Sequence, residues 1–315
     1  MNVYNYLDEI GPTEERAVAL GLFDGVHRGH QSVIQQMLEG RERGLRPAVF
    51  TYRIQHCVPE RKTNFCWIQS ERERVRFLEE MGVVDIIQPT FEDFRDIGPI
   101  EFAEDFLIKQ MRAKVLVCGE DFRFGKKAAG NVELLKTLCE KHGVELRLVT
   151  PVVLDGAPIS STRIRGYIQQ GNMALAWRML GRPYSLRFPV VSGNKIGRTL
   201  NFPTINQIYP DDFAIPRYGV YASVTEVNGQ LYSSVTNVGV KPTVGSDRPL
   251  AETYIIGFSG SLYGQQVRVN LCHFIRKEMK FDSLEELRAQ IAKDTQQAGM
   301  MGPSFIYRMT EGESY

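Results

Sequence analysis

Residues 1–183 alternate short β-rich runs with amphipathic helical patterns. The continuous apolar run Val115–Cys118 is typical of a strand covered on both faces, whereas apolar residues over Val132–Cys139 fall at helical spacing. Ser70 followed by Glu73 predicts a capping box at the start of another helix. Further strands are predicted at Ala17–Leu20, Pro47–Tyr52, Val83–Ile87 and Val144–Leu154. Strand–helix–strand repetition implies a parallel sheet with right-handed crossovers, and so a doubly wound α/β domain.

The pattern changes near Gly181, and residues 184–300 are predicted to form a second domain. From Phe188 to Ile275 the apolar residues alternate with period two or form short β-branched runs. Asn228-Gly229 lies between two such runs, which is a strong hairpin signal. The remaining strands are predicted at Thr253–Phe258 and Val267–Phe274. The pattern therefore favours a small antiparallel β-barrel.

A terminal helix follows the predicted barrel. Ser283 and Glu286 form a second capping box, and apolar residues follow at helical spacing. Beyond Asp294 the chain is polar and rich in Gly and Met, so no structure is predicted there. Residues 301–315 are interpreted as a C-terminal tail.

The composition of the chain argues against several classes of protein. Across 315 residues, 38 Lys and Arg stand against 37 Asp and Glu, which argues against a nucleic-acid partner. No apolar run approaches the roughly 20 residues needed to cross a bilayer, and the start of the chain is unlike a signal peptide. Five scattered cysteines without CxxC spacing argue against a disulfide framework or a zinc site. We therefore expect a soluble, two-domain cytoplasmic protein that meets no membrane.

A first candidate site follows the first strand. The segment Gly21–His30 leads directly into a helix, where unpaired backbone N–H groups and the helix dipole favour phosphate. His27 and His30 there can bind an α-phosphate and stabilise the charge of departing pyrophosphate. Gly25 and Gly29 allow close approach of the backbone to a nucleotide. The alternative is a turn with incidental histidines.

A second phosphate-binding segment is predicted at the end of the α/β domain. Ser160, Ser161 and Thr162 open a helix that also carries Arg165. Hydroxyl and guanidinium groups at a helix start suit the β- and γ-phosphates of a triphosphate. A purely structural role, in which Ser161 or Thr162 caps the helix, is compatible with this function.

The second domain carries a glycine-spaced loop of its own. Backbone N–H groups in a loop of this kind can wrap phosphates. Thr204 and Asn206 follow it, and in an extended segment their side chains face the same way. Such hard oxygen ligands suit Mg²⁺ beside ATP. The alternative is a surface loop with a polar strand edge. The predicted phosphate and cation positions of this loop are Gly193, Lys195, Gly197 and Arg198.

These motifs together resemble those of the bacterial bifunctional riboflavin kinase/FMN adenylyltransferases, from about Val18 to Asp294. HxGH, ISSTRIR and the intervening GEDFRFG resemble the nucleotidylyltransferase module, and PTIN resembles the kinase motif PTAN. The resemblance implies Mg²⁺ and the substrates riboflavin, FMN and ATP. It implies an adenylyltransferase ATP site at Gly21, Phe23, Asp24, Gly25, His27, Gly29, His30, Ser160, Ser161, Thr162 and Arg165, with a flavin beside Asp121 and Phe122.

In the kinase half the resemblance assigns roles to two further residues. Glu252, in the segment AETY, would take the proton from the ribityl 5′-hydroxyl. Without the resemblance it is most simply a solvated strand position. Arg276 would bind nucleotide or flavin, the alternative being a surface ion pair. Gly257 stands where the family usually has Asp.

The flavin side of the first site departs from the family pattern. Tyr52–His56 replaces a stretch like FxPHP, and Leu22 stands where Asn is common. Asp121–Gly125 also fits a tight turn that holds Phe122 and Phe124 in the core. Two alternative functions follow: a riboflavin kinase with a degenerate adenylyltransferase domain, or a flavin- or nucleotide-binding regulator without turnover.

Overall fold

The computed structural model describes residues 1–11, 14–54, 65–193, 196–240 and 248–301. These residues form two compact units. The first consists of Met1–Phe65 and Ser70–Ser160, and the second of Cys66–Gln69 with the chain from Ser161 onward. This division precedes the predicted boundary at residue 183, which remains a prediction. The predicted tail lies outside the described residues, apart from Met301.

The first unit is a parallel α/β sheet with strand order β1-β4-β3-β2-β5-β6. All its strand pairs are parallel, as the sequence predicts. Its strands are β1 (Asn2–Tyr4), β2 (Arg16–Leu20), β3 (Arg46–Phe50), β4 (Asp85–Ile87), β5 (Ala113–Gly119) and β6 (Glu145–Val149), and a small hairpin follows with β7 (Val153–Leu154) and β8 (Ala157–Pro158). Its helices are α1 (Arg28–Leu38), α2 (Glu71–Glu80), α3 (Phe91–Phe94), α4 (Pro99–Glu101), which continues as a π-helical stretch over Phe102–Gln110, and α5 (Val132–His142).

A buried ion-pair cluster lies at the amino-terminal edge of this sheet. Asp85, at the start of β4, is fully buried and accepts hydrogen bonds from Arg16 at 3.1 Å and Arg46 at 2.7 Å. Burial by itself would raise the pKa of Asp85, but the hydrogen bonds from both arginines outweigh it and the pKa falls below its ordinary value. This cluster ties β2, β3 and β4 together far from the carboxyl ends of the strands.

The second unit is a curled six-stranded antiparallel half-barrel with a terminal helix, which confirms the predicted class. Its strand order is β10-β13-β12-β11-β14-β9, and a bridge from Val191 to Asn206 joins the two sheet edges. The Asn228-Gly229 turn has positive φ at both residues, as the hairpin prediction requires. The elements are α6 (Ser161–Gln170), α7 (Met173–Leu180), β9 (Tyr184–Pro189), α8 (Ile196–Thr199), β10 (Thr204–Ile208), β11 (Gly219–Val227), β12 (Gln230–Val240), β13 (Pro249–Ile255), β14 (Gln266–Arg276) and α9 (Leu284–Met301).

Helix α9 corrects the expectation that structure ends near Asp294. The helix starts where predicted, since Ser283 Oγ accepts a hydrogen bond from the N–H of Glu286. It then continues to Met301 because Ala298 is buried against Val220 and Val235 on the outer face of the sheet. Packing thus overrides the weak local pattern of this segment.

Candidate active sites

The loop from Gly21 to Val26 joins β2 to α1 in an unusual backbone conformation. Phe23, Gly25 and Val26 all have positive φ, at 53°, 83° and 35°. A positive φ is strained for a β-branched residue such as Val26, and such strain persists where the surroundings hold it. The N–H of Val26 donates to the Phe23 carbonyl at 3.1 Å, and Asp24 is buried. The loop is therefore a tightly turned segment at the carboxyl edge of the sheet.

The structure brings His27 and His30 together at the start of α1. His27 is the N-cap, and its Nδ1 accepts a hydrogen bond from the His30 N–H at 3.3 Å. A neutral His27 in this role carries its proton on Nε2, so that nitrogen is a donor. The two rings stack with centroids 3.6 Å apart. Gly29 suits this close packing, because a Cβ at that position would lie 3.2 Å from the His27 ring and would push it by a few tenths of an ångström.

Arg74, which the sequence motifs did not identify, forms hydrogen bonds to the backbone of the same loop. Its buried guanidinium donates to the carbonyl oxygens of Leu22 at 3.3 Å and Tyr52 at 3.2 Å, at the ends of β2 and β3. Burial lowers the pKa of Arg74 from its usual value, although the nearby Asp24 opposes this effect. The signal was helical spacing, because Arg74 lies four residues before the buried Leu78 on α2.

The segment Tyr52–His56, which differs from the family's FxPHP stretch, is described only through Ile54. His56 lies outside the described residues. The Tyr52 ring packs against Phe91 and Phe94, with centroids 5.6 and 5.5 Å away. Burial raises the pKa of Tyr52 to about 12. Tyr52 is therefore part of the aromatic core of the first unit.

The predicted flavin turn after β5 combines both readings of the sequence. The N–H of Phe122 donates to the Gly119 carbonyl at 3.1 Å, so the turn is tight. Phe124 is buried in the core, and the half-buried Phe122 stacks on it with centroids 5.7 Å apart. Asp121 is exposed. The structure thus has the tight turn and still leaves Asp121 and one face of Phe122 at the surface.

The Ser160–Arg165 segment forms a helix start, as predicted, with α6 beginning at Ser161. Ser160 ends the first compact unit, whereas Ser161, Thr162 and Arg165 belong to the second. The Arg165 Nε donates to the Cys66 carbonyl at 2.6 Å. This segment and the histidine pair are therefore parts of different compact units.

In the second unit, glycines shape the loop before β10. A Cβ at position 193 would lie 2.5 Å from the Asn206 Nδ2, and one at position 197 would lie 2.3 Å from the Phe202 carbonyl oxygen. Real Cβ atoms do not approach this closely, so Gly193 and Gly197 are sterically required. Lys195 lies outside the described residues, and Arg198 lies in α8.

Strand register places the candidate metal ligand beside the candidate base. Asn206 of β10 pairs with Glu252 of β13, which in turn pairs with Asn237 of β12. Paired residues project to the same face of a sheet, about 5 Å apart. Asn206 is buried, and its Oδ1 has no hydrogen-bond partner among the described residues. An amide oxygen aimed at no protein donor suits a hard cation. Within the described chain no cluster of three His, Cys, Asp or Glu side chains could hold a metal.

A cavity of about 400 Å³ opens beside Thr204. Its size falls in the range of small-molecule sites. The PTIN motif marks one wall of the cavity, whereas the other walls come from residues far away in the chain. It is lined by Val190, Asn201, Pro203, Thr204, Ile205, Ile255, Phe258, Ser259, Gly260, Ser261, Leu262 and Tyr263.

Arg276 forms an ion pair, which was the alternative raised for it, but the pair is largely buried. Its Nη2 lies 2.8 Å from the Asp294 Oδ2 of α9. The two side chains are 18% and 3% exposed. Arg276 is thus held in place by α9.

Comparison with known proteins covers both units. A family model for FAD synthetase matches residues 10–163, and one for riboflavin kinase matches residues 180–301. Bifunctional riboflavin kinase/FMN adenylyltransferases from Haemophilus influenzae, Escherichia coli K12 and Bacillus subtilis are each 35% identical to this chain over 90% of its length. The alignments span 92%, 91% and 93% of those relatives.

A solved structure described as a macrolide-efflux protein from Streptococcus pneumoniae is similar over 94% of this chain and 97% of its own, with a TM-score of 0.83 and 32% identity. None of the helices in the described residues is both long and apolar enough to cross a membrane. The curated relatives match nearly end to end, and the two family models match the two predicted halves. The chain belongs to the bifunctional riboflavin kinase/FMN adenylyltransferase family.

Proposed function

We propose that this chain makes FAD from riboflavin in two ATP-dependent steps, one in each half. The first step transfers the γ-phosphoryl group of ATP to the riboflavin 5′-hydroxyl and gives FMN and ADP. In the second, an oxygen of the FMN phosphate attacks the α-phosphorus of another ATP, giving FAD and pyrophosphate. The observation that carries the proposal is that each compact unit holds its own glycine-shaped loop beside suitable polar side chains.

For the kinase step, we assign the proton-accepting role to Glu252. Its register beside Asn206 would place the carboxylate next to the phosphate end of a bound nucleotide. The orphaned Asn206 Oδ1 and the Thr204 hydroxyl fit Mg²⁺, which when bound would neutralise phosphate charge. The loop between Gly193 and Gly197 would surround the phosphates.

For the adenylyl step, we assign charge stabilisation to His27 and His30. FMN brings an anionic nucleophile, so no general base is needed. The His27 Nε2–H and the N-terminus of α1 would donate to the α-phosphate and the departing pyrophosphate.

We further propose a cytoplasmic location and small-molecule partners only, with residues 1–183 and 184–300 as the two functional domains. The five cysteines without paired spacing support a reducing compartment. The near-zero net charge supports the expectation that nucleic acid is not a partner.

Chromatography of the products from riboflavin, ATP and Mg²⁺ tests the proposal. We expect FMN and FAD together from the wild type. Glu252→Gln should form FMN about a hundredfold more slowly or worse, and His30→Ala should form FMN with little FAD. FMN alone from the wild type would instead support a kinase with a degenerate first domain. Ligand binding without any product would support the non-catalytic regulator.

A further inference from the structure

The ion pair between Arg276 and Asp294 is more heavily bonded than a surface pair. The Arg276 Nε lies 3.1 Å from both carboxylate oxygens of Asp294, and Nη2 lies 2.8 Å from Oδ2. Gln290 Nε2 donates to the Asp294 Oδ1 at 2.9 Å, and Arg276 Nη1 donates to the Lys277 carbonyl at 3.0 Å. Burying two charges costs solvation, so a pair of this kind is weak evidence for a purely stabilising role.

Helix α9 packs on the sheet face that carries the candidate base. Pairing runs from Glu252 to Asn237 and on to Val220, so these residues share one face. Ala298 of α9 covers Val220 and also Val235, which is two residues from Asn237 on β12. Helix α9 therefore forms a wall immediately beside the row of Asn206, Glu252 and Asn237.

The segment that joins β14 to α9 is attached to this face near its beginning. There Asp294 holds Arg276, whose guanidinium lies 5.8 Å from the ring centroid of Phe281. Next to it, the Glu278 Oε1 accepts from the Asn237 Nδ2 at 3.4 Å. A Cβ at Gly239 would lie 2.2 Å from the same Glu278 oxygen, so Glu278 fits closely over β12. The segment thus crosses β12 beside the position that pairs with Glu252.

We propose that Asp294 is a positioning residue for riboflavin in the kinase reaction. It acts through Arg276 by fixing the segment from Arg276 to Phe281, which bounds the space beside Glu252 on the side away from the nucleotide loop. A substrate hydroxyl at Glu252 must belong to a molecule that continues in this direction. The planar guanidinium and the Phe281 ring offer that molecule a flat, apolar and cationic surface, which suits a conjugated ring system. The inference rests on the proposed kinase function.

The test compares Asp294→Asn with Glu226→Gln in the full-length protein. Glu226→Gln removes the ion pair with Arg268, at the other end of β14 in the same unit. Steady-state kinetics give KM for riboflavin and for ATP, riboflavin fluorescence quenching gives Kd, and thermal unfolding gives Tm. For Asp294→Asn we expect KM and Kd for riboflavin to rise about tenfold, as for a lost charge-assisted hydrogen bond, with kcat and KM for ATP nearly unchanged.

A purely structural role would give a different result. The proposal is overturned if the riboflavin KM of Asp294→Asn stays at the wild-type value. It is also overturned if kcat, both KM values and Tm of Asp294→Asn all change together, in the same pattern as those of Glu226→Gln. If Asp294→Asn does not fold, Gln290→Ala removes only one hydrogen bond to Asp294 and must raise the riboflavin KM by a smaller factor; no change there also overturns it. A wild-type protein that forms no FMN would refute the kinase function itself, which is a separate outcome.

Discussion

Gly193→Ala is the substitution whose effect follows most directly from the structure of the kinase site. A Cβ at position 193 would lie 2.5 Å from Nδ2 and 2.8 Å from Cγ of Asn206. Ordinary Cβ contacts begin near 3.4 Å, so the loop or the amide must move by about 0.9 Å. Asn206 is only 8% exposed and cannot turn into solvent. A displacement of about 1 Å at a positioned group can cost about a hundredfold in rate, and we expect that loss in kcat/KM for FMN formation.

The same protein supplies the controls for this experiment. FAD formation from added FMN uses the proposed site in the other half, so Gly193→Ala should leave it at the wild-type rate. Gly299→Ala makes the same chemical change in a helix of the same unit, where a Cβ would meet nothing within 4 Å. Both activities should be normal in that variant. Wild-type FMN formation by Gly193→Ala would refute the argument that Asn206 must stay in place.

Four other substitutions test the remaining assignments. Glu252→Gln should lower kcat for FMN formation by about a hundredfold or more while fluorescence shows little change in riboflavin binding, and an equal loss of both would exclude a base role. His30→Ala should reduce FAD formation from FMN about a hundredfold and leave FMN formation intact, as separate product assays would show. Arg74→Lys keeps the charge but not the forked hydrogen bonds, so FAD formation alone should fall; unchanged FAD formation would contradict its support of the loop. Asp85→Asn should lower the free energy of unfolding by about 3 kcal/mol in urea titrations at pH 7. Because the pKa of Asp85 is depressed in the folded state, its stabilisation is present above the ordinary carboxyl pKa and is lost as pH falls through the folded value, and the variant should lack that acid-dependent part.

The sequence predicted the two folds because each has a strong hydrophobic period. Buried strands such as β5 are continuous apolar runs, and the barrel strands alternate around an Asn-Gly turn. Strand β1 was not predicted because it is three residues long and largely exposed, and so it has no clear apolar pattern. Only its pairing with β4 identifies it as a strand. The end of α9 was not predicted because the burial of Ala298 depends on the barrel face and not on neighbouring residues.

Within the sites, local sequence motifs predicted correctly which residues lie together when those residues are close in the sequence. His27 and His30 lie one helical turn apart, so their juxtaposition follows from the sequence once a helix is predicted. The pairing of Asn206 with Glu252 depends instead on which strands become neighbours, so it was not predicted; family resemblance assigned both residues only to the same kinase site. Arg74 and Asp294 act on backbone or side chains that are distant in the chain, and no motif of their own marks them.

In both proposed sites the main task of the protein is to hold the reacting groups in fixed positions. In the first unit the buried Arg74 fixes the loop that presents His27, and in the second Asp294 fixes Arg276 beside the face of Glu252. Phosphoryl transfer needs alignment and charge neutralisation more than a strong base. Supporting residues should therefore matter nearly as much as the groups that touch substrate. Since each support lies within one unit, damage to it should remove one activity and spare the other, which a general loss of stability would not do.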